Sequence, residues 1–333
     1  MRSVNRNVAR RIAAATVASG VLTAGALALA TSASASTVSA QGAGTSYSFA
    51  THDNMHDLTF NQLLGINDEG VIAGYFGSGA QGHPNKGYLL VPPYGQHDYI
   101  NENFPGSVQT QVTGLNNRGV TVGFWSSMNT ASMVNNNFGF YEIGGRFHNA
   151  DFPTGDPANP PVDQLLGVND NDIAVGFYTD GQGNNHGYEY NINDHKFAAV
   201  TDPSLPGASL TAAAINDEND VAGFYTNSAG TTDGFLKTHH GQFIDLAVPG
   251  ASSTTALGVN GRDEVVGTYT VGSGSTATMH GFTWSPQHGF RTVDDPNGIG
   301  TTTINGVNDR GQLVGFYVDG AGNTDGFVAS PLS

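Results

Sequence analysis

The chain has 333 residues, 12 basic against 28 acidic side chains, a net charge of −16 and no cysteine. The missing cysteines exclude a disulfide framework, a thiol nucleophile, a thiolate metal site and a lipid-modified N-terminal Cys. The acidic surface repels nucleic acid and anionic lipid, and 46 Gly beside only three Lys and six Glu favour turns and short strands over amphipathic helices.

Arg2, Arg6, Arg10 and Arg11 precede an Ala/Val/Leu-rich segment from Ile12 to Ala30, followed by the small-x-small pattern Ala33-Ser34-Ala35. This is the layout of a secretory signal peptide over residues 1–35, with Val38-Ser39-Ala40 as a second cleavage pattern. The segment is long enough to serve instead as a retained anchor, but its Ala/Gly/Thr content and the cleavage pattern favour removal. The Arg10-Arg11 pair has no further twin-arginine context. Cleavage after Ala35 takes four basic and no acidic residues, leaving a net charge of −20. Residues 36–45 read as a flexible lead and residues 46–333 as one domain, large enough for a substantial core. We expect a secreted monomer with no membrane span in its mature chain.

From residue 47 onward one pattern recurs. "GINDEGVIAGYF", "GLNNRGVTVGFW", "GVNDNDIAVGFY", "AINDENDVAGFY", "GVNGRDEVVGTY" and "GVNDRGQLVGFY" open their turns at Asn67, Asn116, Asn169, Asn216, Asn260 and Asn308, 49, 53, 47, 44 and 48 residues apart. That period suits a four-stranded propeller blade. An Asn side chain at the first turn position accepts from a backbone N–H two residues on. The fourth position, which wants positive φ, holds only Gly, Asp or Asn: Gly70, Gly119, Asp172, Asn219, Asp263 and Gly311. The Asn-Asp pairs are therefore read as turn chemistry rather than ligands.

Each unit has three more strand signals. One is the apolar-aromatic run after the turn, whose paired aromatics such as Phe177/Tyr178 read as core. The next begins at a Gly-aromatic pair (Gly87-Tyr88, Gly139-Phe140, Gly187-Tyr188, Gly234-Phe235, Gly281-Phe282, Gly326-Phe327), and another ends near an acid or Pro, as in "KFAAVTDP". The domain begins with "YSFATHD", which matches the last strand of a unit, and stops after "TDGFVASPLS", which matches the third strand of the sixth. An orphan strand at one end and a missing strand at the other complete a sixth unit if the ring closes by pairing the termini, which removes exposed edges. The sequence predicts an all-β, six-bladed β-propeller of four-stranded blades, its last blade completed by the N-terminal strand. A sandwich of sheets explains neither the period nor the ends.

The repeat, with His280-Gly281-Phe282 and Trp284, resembles the bacterial extracellular HAF repeat over essentially all of residues 47–330. That family is named for a His-Ala-Phe tripeptide at the Gly-aromatic position. Here Gly replaces Ala in every copy and only His186 and His280 keep the His, with Lys86, Phe138, Asp233 and Asp325 in the other four. The resemblance implies secretion and a repeat fold, and brings no catalytic residues with it.

Binding residues are expected on the face carrying the variable loops between the second and third strands, together with the blade connectors. Lys86, Phe138, His186, Asp233, His280 and Asp325 occupy equivalent positions there, and all but Phe138 are candidate ligand contacts. Two loops match as D-G-x-G-N, Asp180 to Asn184 and Asp319 to Asn323, with side-chain oxygens spaced for a hard cation such as Ca²⁺. They equally form Asx-turn hairpins that need no cofactor. Nucleophile-elbow, zinc-protease and phosphate-loop motifs are absent, and 28 acids leave no pair singled out by spacing. The expected function is a non-enzymatic binding module for a glycan, a cell-surface component or an extracellular protein. A polysaccharide-acting hydrolase or lyase is the first alternative and a matrix protein the second.

Overall fold

The structure is a computed structural model that describes residues 45–127 and 136–332; the expected signal peptide and most of the expected lead lie outside the described residues. Its strands form six four-stranded antiparallel sheets arranged as a ring. Blades 1 to 6 begin at the innermost strands Asn61–Ile66, Gln109–Leu115, Asp163–Val168, Ser209–Ile215, Ser253–Val259 and Thr303–Val307. The sixth blade takes its outer strand from the other end of the chain: Tyr47–Thr51 pairs with Thr324–Pro331, from Tyr47 opposite Pro331 to Thr51 opposite Phe327. The ring is therefore closed as the sequence predicts. No helix among the described residues is long and apolar enough to cross a membrane.

The core lies between blades rather than inside any one. Tyr88, Phe140, Tyr188, Phe235, Phe282 and Phe327, each following the glycine of a third strand, are at most 1% exposed. Leu63, Val112, Leu165, Ala212, Ala256 and Ile304 on the inner strands are fully buried with them. Because both faces of every blade pack against a neighbour, strands here read as apolar runs instead of alternating ones.

The Asn turns form as expected, and then do more. Each of the six Asn side chains accepts from the backbone N–H four residues on, as at Asn169, where Oδ1 takes Ile173 N at 3.0 Å. The fourth positions all have positive φ, between 57° and 84°. The Nδ2 of each Asn, however, donates to the backbone carbonyl of the equivalent Asn in the next blade, at 2.9–3.2 Å, and Asn308 returns the ring to Asn67. A second ring lies just outside it. There the backbone N–H after each Asn donates to the side chain in the same position one blade on, and the ring breaks only where Gly261 offers no side chain.

Every inner strand also carries a bulge, with register shifts such as Leu63/Gly65 and Leu165/Gly167. The bulge turns a carbonyl onto the second strand, so that a Cβ on Gly176 would overlap the Gln164 oxygen. This explains the glycine of every "VGF". At the axis, the bulges bring Gly65, Gly114, Gly167, Ala214, Gly258 and Gly306 close together; a Cβ on Gly114 would lie 3.0 Å from the Gly167 Cα. The axial spaces amount to only about 70 and 90 Å³. Little room remains at the centre of the ring for a ligand.

Candidate functional site

The inner strands run from the loop face to the Asn-turn face, so loops between second and third strands and all blade connectors share the loop face. The six equivalent positions lie at the start of third strands, two strands out from the axis. Each faces the second aromatic position of its own blade across the ladder: Lys86 opposite Phe76, Phe138 opposite Trp125, His186 opposite Tyr178, Asp233 opposite Tyr225, His280 opposite Tyr269 and Asp325 opposite Tyr317. They are not brought together. Lys86 Nζ donates to Val108 O at 3.1 Å, and His280 lies between Asp294 Oδ2 (2.7 Å) and Thr278 Oγ1 (3.0 Å). Asp233 is held protonated more easily than a free carboxyl by burial and then by Asp245, and Asp325 by burial and then by Asp319.

The D-G-x-G-N loops close on themselves. Asp180 Oδ1 accepts from Gln182 N and Asn184 N, and Oδ2 accepts from Asn184 Nδ2 and from His186 Nε2 at 2.8 Å. Asp319 Oδ1 likewise accepts from Ala321 N and Asn323 N, and Oδ2 from Asn323 Nδ2. Among the described residues no three acidic or histidine side chains are grouped to hold a metal ion.

What distinguishes one inter-blade boundary from the rest is a lost clasp. As a connector enters the next blade, its backbone N–H normally donates to the side chain that starts the inner strand. Asn54 N donates to Asn61 Oδ1, Phe104 N to Thr110 Oγ1, Phe152 N to Asp163 Oδ2, Val248 N to Thr254 Oγ1 and Asp295 N to Thr302 Oγ1, at 2.6–3.1 Å. In blade 4 the acceptor position holds Leu210, which has none to offer, and the connector position holds Asp202. A second tie joins a connector Asx to the third-strand glycine, as Asp151 Oδ1 does to Gly139 N, Asn103 to Gly87, Asp294 to Gly281 and Asp53 to Gly326. Thr201 stands at that position in the connector from blade 3 to blade 4.

At this boundary a cavity of about 450 Å³ opens on the loop face. Its floor and back are apolar: Val200, Leu205, Pro206 and Leu210. Its wall is an aromatic ledge in which Phe152 stacks on Tyr178 (4.6 Å, 16°) and Tyr178 on His186 (4.9 Å, 21°). Asn184, Asn185 and Asp202 supply the polar edge. An ionised carboxylate is an acceptor only, so His186 donates through Nε2 to Asp180, which fixes the ring against Tyr178. A mostly apolar hollow with a few placed polar groups is the usual form of a ligand site.

Of these residues the sequence singled out His186, Asp180 and Asn184. Phe152, Tyr178, Asp202 and Leu210 were not picked out, and the paired aromatics were expected to be core throughout. Phe177 is core, at 2% exposed, but Tyr178 is only half-buried because it sits at the loop-face end of its strand. The signal for Leu210 was present: Asn61, Thr110, Asp163, Thr254 and Thr302 are polar at its register, and it alone is apolar.

No family model matches the sequence, nor does any curated protein. Among solved structures, the protein AofleA of Arthrobotrys oligospora aligns over 87% of this chain and 88% of its own, at 12% identity and a TM-score of 0.50. The six-bladed fungal lectin of Aleuria aurantia aligns over 80% and 90%, at 10% identity and 0.49. Virginiamycin B lyase of Staphylococcus aureus aligns over 86% and 89%, at 11% identity and 0.44. At such identities the likeness is one of fold, and this chain is a six-bladed β-propeller.

Proposed function

We propose that the protein is a secreted, non-enzymatic binding module that holds a glycan in the cavity between blades 3 and 4. The observation that carries this reading is the aromatic ledge over an apolar floor at the one boundary where both connector ties are replaced. A pyranose presents a C–H face and a hydroxyl edge; the apolar floor and the rim of the aromatic stack suit the first, and Asn184, Asn185 and Asp202 suit the second. Hydrolysis of a glycoside ordinarily needs two carboxyl groups flanking the bond, and Asp202 is the only carboxylate among the residues lining the cavity. The test is a glycan array probed with residues 36–333 and with the Tyr178→Ala variant, in calcium and in chelator. We expect selective binding of one sugar class, at least tenfold weaker in the variant and unchanged by chelator. A blank array for the unmodified protein refutes the reading.

A further inference from the structure

The net charge conceals a segregation of the basic residues between the two faces. Of the eight Lys and Arg among the described residues, Arg118, Arg262 and Arg310 sit in the Asn turns. Arg146 and Lys196 open outer strands at that same face, and Lys237 ends a third strand there. Arg291 acts on Tyr47, at the turn-face end of the blade 6 outer strand. Several are matched locally, as Arg118 is by Asp172 at 3.0 Å and Lys237 by Glu189 at 2.9 Å. The loop face keeps only Lys86, whose ammonium is turned onto the Val108 carbonyl.

Carboxylates occupy both faces, ten of them in the Asn turns beside the basic residues, but those near the cavity on the loop face lack such company. Asp202 lines it, with Oδ1 held by Ser204 N (2.8 Å) and Ser204 Oγ (2.7 Å). Asp180 lies behind His186, and Asp156 Oδ2 accepts from Gln182 Nε2 at 3.0 Å on the adjoining loop. On the blade 4 side, Tyr225 donates to Asp245 Oδ1 at 3.2 Å, and its hydroxyl is pushed up to about 12 by burial and then by Asp245, Asp233 and Asp202 together. Asp202 thus lines the hollow and Asp180 backs its His186 wall, with Asp156, Asp233 and Asp245 farther out on the same face and no Lys or Arg beside them. Residues 128–135, outside the described residues, include no charged side chain.

We propose that the cavity selects glycans bearing free amino groups, hexosamine units in their protonated form, and rejects uronic or sulfated ones. The selection rests on the glycan-binding reading above. A protonated amine on a ring lying along the edge of the Phe152–Tyr178–His186 stack meets Asp202 in a partly desolvated hollow, where charges interact more strongly than in bulk water. An anionic sugar meets the same carboxylate with no counter-charge. The acidic face also speeds the encounter with a polycationic chain and makes it depend on salt.

The test is calorimetric titration of the mature protein with three oligosaccharide probes of equal length: glucosamine, N-acetylglucosamine and a uronic acid. We expect the glucosamine oligomer to bind at least tenfold tighter than its N-acetylated counterpart and the uronate not to bind. Raising salt from 50 to 500 mM should weaken the glucosamine complex several-fold. Asp202→Asn keeps the Oδ1 acceptor for Ser204 and should also cost several-fold, as should Asp233→Asn, which lies outside the cavity lining. Equal binding of the first two probes, or any preference for the uronate, overturns the amine selection while leaving the cavity as a glycan site. If none of the three binds and the array is also blank, the glycan reading itself falls.

Discussion

Asn169 separates a turn from a ring. Its Oδ1 accepts from Asn171 N and Ile173 N, while its Nδ2 donates to the Asn216 carbonyl at 2.9 Å and to Asn219 Oδ1 at 2.8 Å. It is 3% exposed, so water replaces little of what is removed. At about 0.5–1.5 kcal/mol net for each bond, with a further penalty for buried partners left unsatisfied, Asn169→Ala should cost about 2–4 kcal/mol. Asn169→Asp is the sharper variant. An aspartate caps the turn as well as an asparagine does, so a purely local role predicts little change. In the ring it replaces a donor by a carboxylate oxygen facing the Asn216 carbonyl, and should cost about 2 kcal/mol or more. Urea denaturation at neutral pH, followed by circular dichroism with exposed Asn171→Ala as the control, reads both. An Asn169→Asp midpoint equal to that of the unmodified protein would refute the ring and leave only the turn. The six-fold use of Asn at this position, never Asp, agrees with the ring.

Three other outcomes follow from particular contacts. Leu210→Thr restores the acceptor for the connector N–H; it should narrow the cavity and abolish glycan binding at a stability cost of at most about 2 kcal/mol, and retained binding in titration would disconnect the lost clasp from the site. Glu102 is buried beside Glu142 and receives the Thr121 hydroxyl; burial first, and then Glu142, push its carboxyl up to about 7 against the opposing Thr121 bond. The fold therefore favours the neutral acid. Its contribution is fully present below about pH 4.5 and is lost as pH rises through 7, by on the order of 3 kcal/mol. Glu102→Gln should remove that slope, so its advantage in urea midpoint over the unmodified protein must grow between pH 5 and pH 8; a constant difference would refute the assignment. Gly176→Ala should cost about 2–3 kcal/mol by overlap with the Gln164 carbonyl, whereas Gly320→Ala, with nothing within 4 Å of its added Cβ, should be silent in the same thermal melt.

The fold was legible because its signals are local and repeated. The Asn turn, the positive-φ residue three places along and the Gly-aromatic pair each fall within a short window, and six copies fix the period. The orphan strand Tyr47–Thr51 announced closure for the same reason, since edge pairing is a demand that either end of the chain reveals. The role of the repeated glycine was not legible, because it depends on a bulge in a different strand.

What only the tertiary structure decided are relations between residues about 50 positions apart, or 241 in the case of Asn308 and Asn67. The amide ring, the closed axis and the gathering of basic residues on one face arise from placing equivalent positions of different blades side by side, which no sequence window contains. The cavity is of this kind. Phe152, Tyr178 and Leu210 come from one connector and two blades, and Leu210 in its own segment is an ordinary strand residue. Only when it faces a connector whose N–H is elsewhere clasped by a polar side chain does an apolar residue there open a pocket. Sequence therefore determined the ring and its closure through local backbone demands, whereas the site depended on which side chain was missing from a contact made across blades.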